Sequence, residues 1–269
     1  MVLTCQQKTM TLTNWIKQAC HRYFVAQTFM TRLPSPVKLQ WSEAELASST
    51  PWFVAVGTVV GIIAAIAWQI GFYIWSQEIA ALFAITASIL ATGAFHEDGL
   101  ADSADGIGGA FEIEKKLTIM RDSRIGTYGS VALILMILTK LTAISLLDPG
   151  TAASTIIGAH MLGRLTSVPL IKYNDYVREQ GTGKPFASMV TTGNVVCSSA
   201  AALVISVMCF GAMTVVVLPL VLTGLWLAQW YVRRKLGGIT GDILGAVNSL
   251  TELWVYLIMS SGFILAMTT

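Results

Sequence analysis

Charge is what this chain has least of. Only 12% of its 269 residues are Asp, Glu, Lys or Arg, where an ordinary globular domain carries roughly 25%, and the shortage excludes a soluble fold. Its four cysteines, Cys5, Cys20, Cys197 and Cys209, form no Cys-x-x-Cys pair, and the last two lie in apolar runs. Neither a disulfide framework nor a zinc site is expected from them. The first fifty residues hold no clean apolar stretch of signal-peptide type, only scattered Lys8, Lys17, Arg22, Arg32 and Lys38, so this start is expected to be retained and cytoplasmic. A full phosphate loop is missing too. Gly181-Thr182-Gly183-Lys184 has neither the spacing nor a preceding strand, which leaves a mobile cytoplasmic substrate loop as its expected role. No internal repeat or low-complexity tract stands out.

What the chain does have is apolar length: 54% of its residues are hydrophobic and its mean hydropathy is +0.66. A helix needs roughly 20 apolar residues to cross a hydrocarbon core. Seven segments qualify as spans: Trp52–Trp75, Ile79–Phe95, Tyr128–Leu147, Thr151–Ile171, Thr191–Phe210, Met213–Val232 and Thr251–Met267. The predicted fold is therefore all-α, a polytopic membrane bundle of about seven transmembrane helices. Threaded from a cytoplasmic N-terminus, the segments 96–127, 172–190 and 233–250 fall inside and Ser76–Glu78, Asp148–Gly150 and Gly211–Ala212 form outer turns. Those turns contain no Lys or Arg, as the positive-inside rule requires. Before the first span, Leu12, Trp15, Ile16, Ala19, Tyr23, Ala26 and Met30 recur at three- and four-residue steps. That stripe predicts an N-terminal amphipathic helix, either interfacial or packed on the bundle and ended by Pro34-Ser35-Pro36. The chain divides into residues 1–50, cytoplasmic or interfacial, and 51–269, a transmembrane catalytic domain with an acid-rich cytoplasmic segment at 96–127.

That segment opens with His96-Glu97-Asp98-Gly99-Leu100-Ala101-Asp102-Ser103-Ala104-Asp105-Gly106. Steps of four and three residues put Asp98, Asp102 and Asp105 on one helical face, where three like charges repel unless a cation joins them. Oxygen ligands without His or Cys partners favour Mg²⁺ or Mn²⁺, and Mg²⁺ prefers a few carboxylates completed by water and substrate phosphate. Gly99, Gly106, Gly108 and Gly109 would let a diphosphate approach the backbone. Downstream, Arg121-Asp122-Ser123-Arg124 places two arginines around an acid, suited to holding phosphate oxygens while the carboxylate binds metal or takes a proton. Four acids could support one metal ion or two. Glu112, Glu114, Lys115 and Lys116 lack this register and read as solvated surface. Composition and spacing together point to metal-dependent phosphoryl transfer at the cytoplasmic face.

Both motifs resemble those of the cobalamin synthase family, the membrane-bound adenosylcobinamide-GDP ribazoletransferases, with the pattern His-x-Asp-Gly-Leu-x-Asp-x-x-Asp-Gly followed by Met-x-Asp-Ser-x-x-Gly. The similarity extends to Phe29–Pro34 and Gly237–Ala246. It implies a Mg²⁺-dependent reaction in which α-ribazole, or its 5′-phosphate, displaces GMP from adenosylcobinamide-GDP to give adenosylcobalamin or its phosphate. It also implies residence in a bacterial inner membrane with the site facing the cytoplasm. On this basis His96 and Asp122 are the candidate catalytic residues, and Asp98, Asp102, Asp105 and Asp122 the candidate metal ligands. Arg32, Gly106, Gly109, Arg121, Arg124, Arg164 and Asp242 are the candidate substrate contacts. The partners are the two substrates and the bilayer; no nucleic acid is expected, and self-association stays open.

Other classes stay in view. CDP-alcohol phosphotransferases share the opening Asp102-x-x-Asp105-Gly106, but this chain continues Ile107-Gly108-Gly109-Ala110-Phe111 without their arginine and closing Asp pair. Prenyl transfer expects two Asp-rich motifs on different helices. A transporter expects acids near mid-bilayer. Inside the spans, Lys140 and Arg164 each cost at least about 2.5 kcal/mol on insertion scales, so each needs a partner or an escape route. Lys140 suits snorkelling or an ion pair; Arg164 suits a phosphate or a partner acid, and Glu252 can pair with either. For Asp242, helix capping explains the residue as well as substrate or metal binding does.

Overall fold

The computed structural model describes residues 12–178 and 183–261, and among these every regular element is helical. Twelve α-helices follow in order: α1 (Leu12–Met30), α2 (Glu43–Ser49), α3 (Phe53–Ile74), α4 (Gln77–Thr92), α5 (Phe95–Gly109), α6 (Ile113–Ile119), α7 (Thr127–Ser145), α8 (Pro149–Tyr173), α9 (Gly183–Met189), α10 (Thr192–Phe210), α11 (Thr214–Leu236) and α12 (Gly241–Met259). Four helical stretches are long and apolar enough to cross a membrane, or five if the bent pair α4 and α5 counts as one. Residues 1–11, Gly181, Thr182 and the end of the last expected span beyond Ser261 lie outside the described residues.

Among the described residues, each apolar segment read from the sequence lies mainly on a helix, with two corrections. The last helix begins at Gly241, ten positions before the expected Thr251. Its opening Gly-Asp-Ile-Leu-Gly-Ala-Val-Asn-Ser-Leu is too rich in small and polar residues to register as a span, yet Ile243, Gly245, Ala246, Val247 and Asn248 are buried against the bundle. The acids do not continue the line of α4 either. Gly93 and Ala94 both adopt left-handed backbone, with φ of 69° and 61°, and α5 leaves α4 at 89°.

Between apolar helices in lipid the hydrophobic effect gives little, so close backbone approach decides packing. Gly57 and Gly61 supply it, a small-xxx-small step on α3 laid against α8. A Cβ on Gly61 would stand 2.7 Å from Ile157 Cα. The central α8 is buried on nearly every side, and around it Trp68, Ile156, Met161, Leu162 and Val217 form the main core. A second apolar cluster, with Val25, Met30, Phe53, Ile171 and Phe186, joins α1 and α9 to the ends of α3 and α8. In α1 the expected stripe divides: Ala26 and Met30 are buried, whereas Leu12, Trp15 and Ile16 are exposed.

Candidate active site

Two glycines position the site. Gly99 on α5 and Gly245 on α12 face each other, and a Cβ on Gly99 would stand 2.7 Å from the carbonyl oxygen of Asp242. With the helices that close, Asp98 and Asp242 open into one cavity of about 270 Å³, together with His96, Tyr176 and Arg178. Thr240 caps α12, its hydroxyl accepting from Ile243 N at 3.2 Å, which sets Asp242 in the first turn. Capping, one expected reading of Asp242, therefore belongs to its neighbour.

Arg178 was missed by sequence reasoning. It reaches the cavity because residues 175–177 pair with Ile239: Val177 N donates to Ile239 O at 3.0 Å and Ile239 N to Asp175 O at 2.8 Å. Arg178 Nη2 then pairs with Asp242 Oδ2 and donates to Met120 O at 3.3 Å, while its buried Nε has no partner. Tyr176 Oη accepts from Gly241 N at 3.1 Å, tying the same segment to the start of α12.

His96 is buried, 3% exposed, and its Nε2 makes no hydrogen bond. Burial, aided by the nearby charge of Arg164, holds its pKa well below the usual imidazole range, so the ring is a neutral base. One turn beyond Asp98 lies Asp102. Partial burial first, then the charges of Asp98 and Asp242, push its carboxyl up to about 6. Helix α5 is short and carries four carboxylates, and we read it as lying outside the hydrocarbon.

Not all four acids meet. Asp105 lies about 10 Å along α5 from Asp98 by helical rise, and its carboxylate is taken by the start of α7: Gly126 N donates to Oδ2 at 2.7 Å and Gly129 N to Oδ1 at 2.9 Å. Asp122 sits in a separate surface hollow with Asp105, Gly109 and Tyr128. There it receives Arg124 Nε at 3.0 Å and Arg124 Nη2 at 2.7 Å, and these bonds pull its carboxyl down to about 2. Among the described residues no three His, Cys, Asp or Glu side chains stand together as a ready metal cage. The donor set at the cavity instead suits a cation of the Mg²⁺ type, which takes one or two carboxylates and completes its shell with water and substrate phosphate.

The remaining expected contacts are dispersed. Gly106 packs on Met120 and the Lys116 carbonyl, and Gly109 approaches Ile119, so the structure uses their missing side chains for helix contact. Arg121 is exposed. Arg32 is exposed as well, crossing Gly93 at the α4–α5 corner, and its N donates to Ala91 O at 2.8 Å. Arg164 is 1% exposed and pairs with Glu252, the partner-acid alternative. Glu252 also takes Lys140 Nζ at 2.7 Å and lies 2.9 Å from His160 Nδ1, so Lys140 is ion-paired within the bundle.

A bundle of apolar helices with a neutral histidine, two facing acids and an arginine around one cavity defines a class: a helical membrane enzyme. Comparison with known proteins narrows the class to a family. The cobalamin-5-phosphate synthase pattern matches residues 22–260. The chain is 40% identical over 250 residues to the adenosylcobinamide-GDP ribazoletransferase of Shewanella amazonensis, an alignment covering 90% of this chain and 96% of that one. The enzymes of the same name from Shewanella piezotolerans and Vibrio cholerae are 35% and 37% identical, covering 91% and 88% of this chain and 96% and 92% of theirs. No solved structure matches. The chain belongs to the cobalamin-5-phosphate synthase family and is a transferase.

Proposed function

We propose that this enzyme joins α-ribazole, or its 5′-phosphate, to adenosylcobinamide-GDP, releasing GMP and giving adenosylcobalamin or its 5′-phosphate in a Mg²⁺-dependent phosphoryl transfer. The observation that carries the chemistry is the unpaired Nε2 of buried, neutral His96 in a cavity that also presents Asp98, Asp242 and Arg178. The names of the relatives support the substrates.

Asp98 and Asp242, with Asp102 behind them, would hold Mg²⁺, which supplies charge stabilisation at the phosphoryl oxygens when bound. His96 Nε2 takes the proton of the attacking ribose hydroxyl. As the new oxygen–phosphorus bond forms, the bond to GMP breaks and its electron pair leaves with the nucleotide. Arg178, with its Nε uncommitted, offers a donor to phosphate oxygens, an interaction stronger than a neutral hydrogen bond. Asp122 is less suited to accept a proton near neutrality, because a carboxyl at about 2 is a poor base.

In this reading about seven helices cross the bacterial inner membrane, with the site and the N-terminus on the cytoplasmic side. The stretch Thr192–Leu236 runs 45 residues, roughly 68 Å if straight against a core of about 30 Å, and Gly211 interrupts it at φ 53°; two crossings account for it. The exposed Leu12, Trp15 and Ile16 suit α1 to the membrane interface. Residues 1–50 then form an interfacial segment and 51–269 the catalytic domain.

The test combines purified protein, Mg²⁺, adenosylcobinamide-GDP and α-ribazole, following GMP and corrinoid product together. Equal release of both, abolished by chelator, is the expected result. Neither product would overturn the reading, and solute uptake into liposomes without group transfer would favour a transporter.

A further inference from the structure

The cavity lining is of two kinds. Alongside the acids it presents four phenyl rings that form one wall, with Phe29 of α1 as its hub. The Phe29 ring centroid is 6.1 Å from that of Phe53 with the planes 15° apart, 5.9 Å from Phe95 at 71° and 6.1 Å from Phe186 at 68°. All four rings line the cavity, and Phe53 and Phe186 are 1% and 3% exposed. They come from α1, α3, α5 and α9, so the wall exists only in the assembled fold.

Holding a metal ion or moving a proton requires none of these rings. A flat apolar ring gains from them, through edge and face contacts with phenyl groups. The proposed reaction brings two flat groups: the guanine of the activated donor and the benzimidazole of ribazole. Guanine carries donors and acceptors around its rim, and burying them unpaired is costly. Benzimidazole has an apolar carbocyclic rim. A cavity of about 270 Å³, against roughly 30 Å³ per water in the liquid, is of nucleoside size.

We propose that the phenylalanine wall binds the benzimidazole ring of the ribazole acceptor, directing its ribose toward His96 and Asp98. This makes Phe29 and Phe186 specificity-determining residues of the acceptor site. The inference rests on the preceding reading that ribazole is the acceptor.

Phe29→Leu and Phe186→Leu keep apolar bulk and remove the ring. In steady-state assays each should raise the KM for α-ribazole by about tenfold, the scale of one lost stacking contact, with the KM for adenosylcobinamide-GDP held. An unchanged acceptor KM overturns the proposal; a raised donor KM instead assigns the wall to guanine. Wild-type protein supplies a second arm that survives misfolding of either variant. It should use ribazole at least about tenfold better than an imidazole ribonucleoside, which offers a smaller ring, and equal use of the two overturns the wall's role. Should wild type release no GMP with any acceptor, the reading of the function has failed. Equilibrium binding of α-ribazole, followed by its own fluorescence, then decides the wall separately: tight binding weakened about tenfold in Phe29→Leu upholds it, and no binding overturns it.

Discussion

At the residue scale, His96 carries the sharpest expectation. Its pKa is lowered by burial, so the neutral, proton-accepting form persists below the ordinary imidazole value of about 6.5. The kcat/KM profile should therefore hold level as pH falls through 6.5 and decline only at lower pH. A decline centred at or above 6.5 would remove His96 from the role of base. Replacing it, His96→Gln, should cost about 10²–10⁴ in kcat with ribazole binding retained. Asp122 is already ionised across the working range, its carboxyl at about 2, so Asp122→Asn should leave the acid limb in place. Local sequence made some of this legible. The steps of four and three residues put Asp98 and Asp102 on the acid face of α5, and the match to the His-x-Asp pattern brought in His96. Arg178 was not legible, because its place depends on the pairing of residues 175–177 with Ile239, some sixty positions away and without periodicity. The phenylalanine wall escaped for a similar reason: Phe29 entered only as part of the Phe29–Pro34 stretch, and Phe53, Phe95 and Phe186 each read locally as ordinary apolar filling.

Among elements, Asp105 shows how one motif can serve two ends. It looks like the third member of a ligand set, and the structure makes it the cap of another helix, receiving Gly126 N and Gly129 N of α7. An acid at a helix N-terminus also complements the helix dipole. Asp105→Ala should cost about 1–3 kcal/mol of stability, read as a lowered thermal midpoint in detergent, and Asp105→Asn should cost less. Asp98→Ala should abolish turnover with the midpoint unmoved. Equal midpoints for Asp105→Ala and wild type would return Asp105 to the ligand set. The apolar runs gave the helices away, because length and hydropathy are local properties. The start of α12 was hidden because the glycine and small residues that let it touch α5 are the ones that lower its hydropathy.

For the whole molecule, the buried cluster at Glu252 matters most. One carboxylate faces two cations, Lys140 and Arg164, so the three are unequal under mutation. Glu252→Gln leaves two uncompensated charges in the bundle and should destabilise by about 3–5 kcal/mol, seen as loss of monodisperse protein or a collapsed thermal midpoint. Lys140→Met leaves a one-to-one pair with Arg164 and should be the milder change; equal damage from both would refute this charge balance. Sidedness is accessible as well. Cysteines introduced at Ser76, Asp148 and Gly211 should react with an impermeant maleimide from outside intact cells, and one at Ser123 only after permeabilisation. The reverse pattern would invert the proposed topology. The left-handed corner at Gly93 and Ala94 also sets how far the acids stand from the bilayer. Were α4 to run straight on to Gly109, the helix would measure roughly 50 Å against a core of about 30 Å, and its acid-bearing end would project away from the membrane. In the proposed topology the right-angle turn instead lays the anionic helix along the cytoplasmic headgroups, beside the cavity it shares with α12.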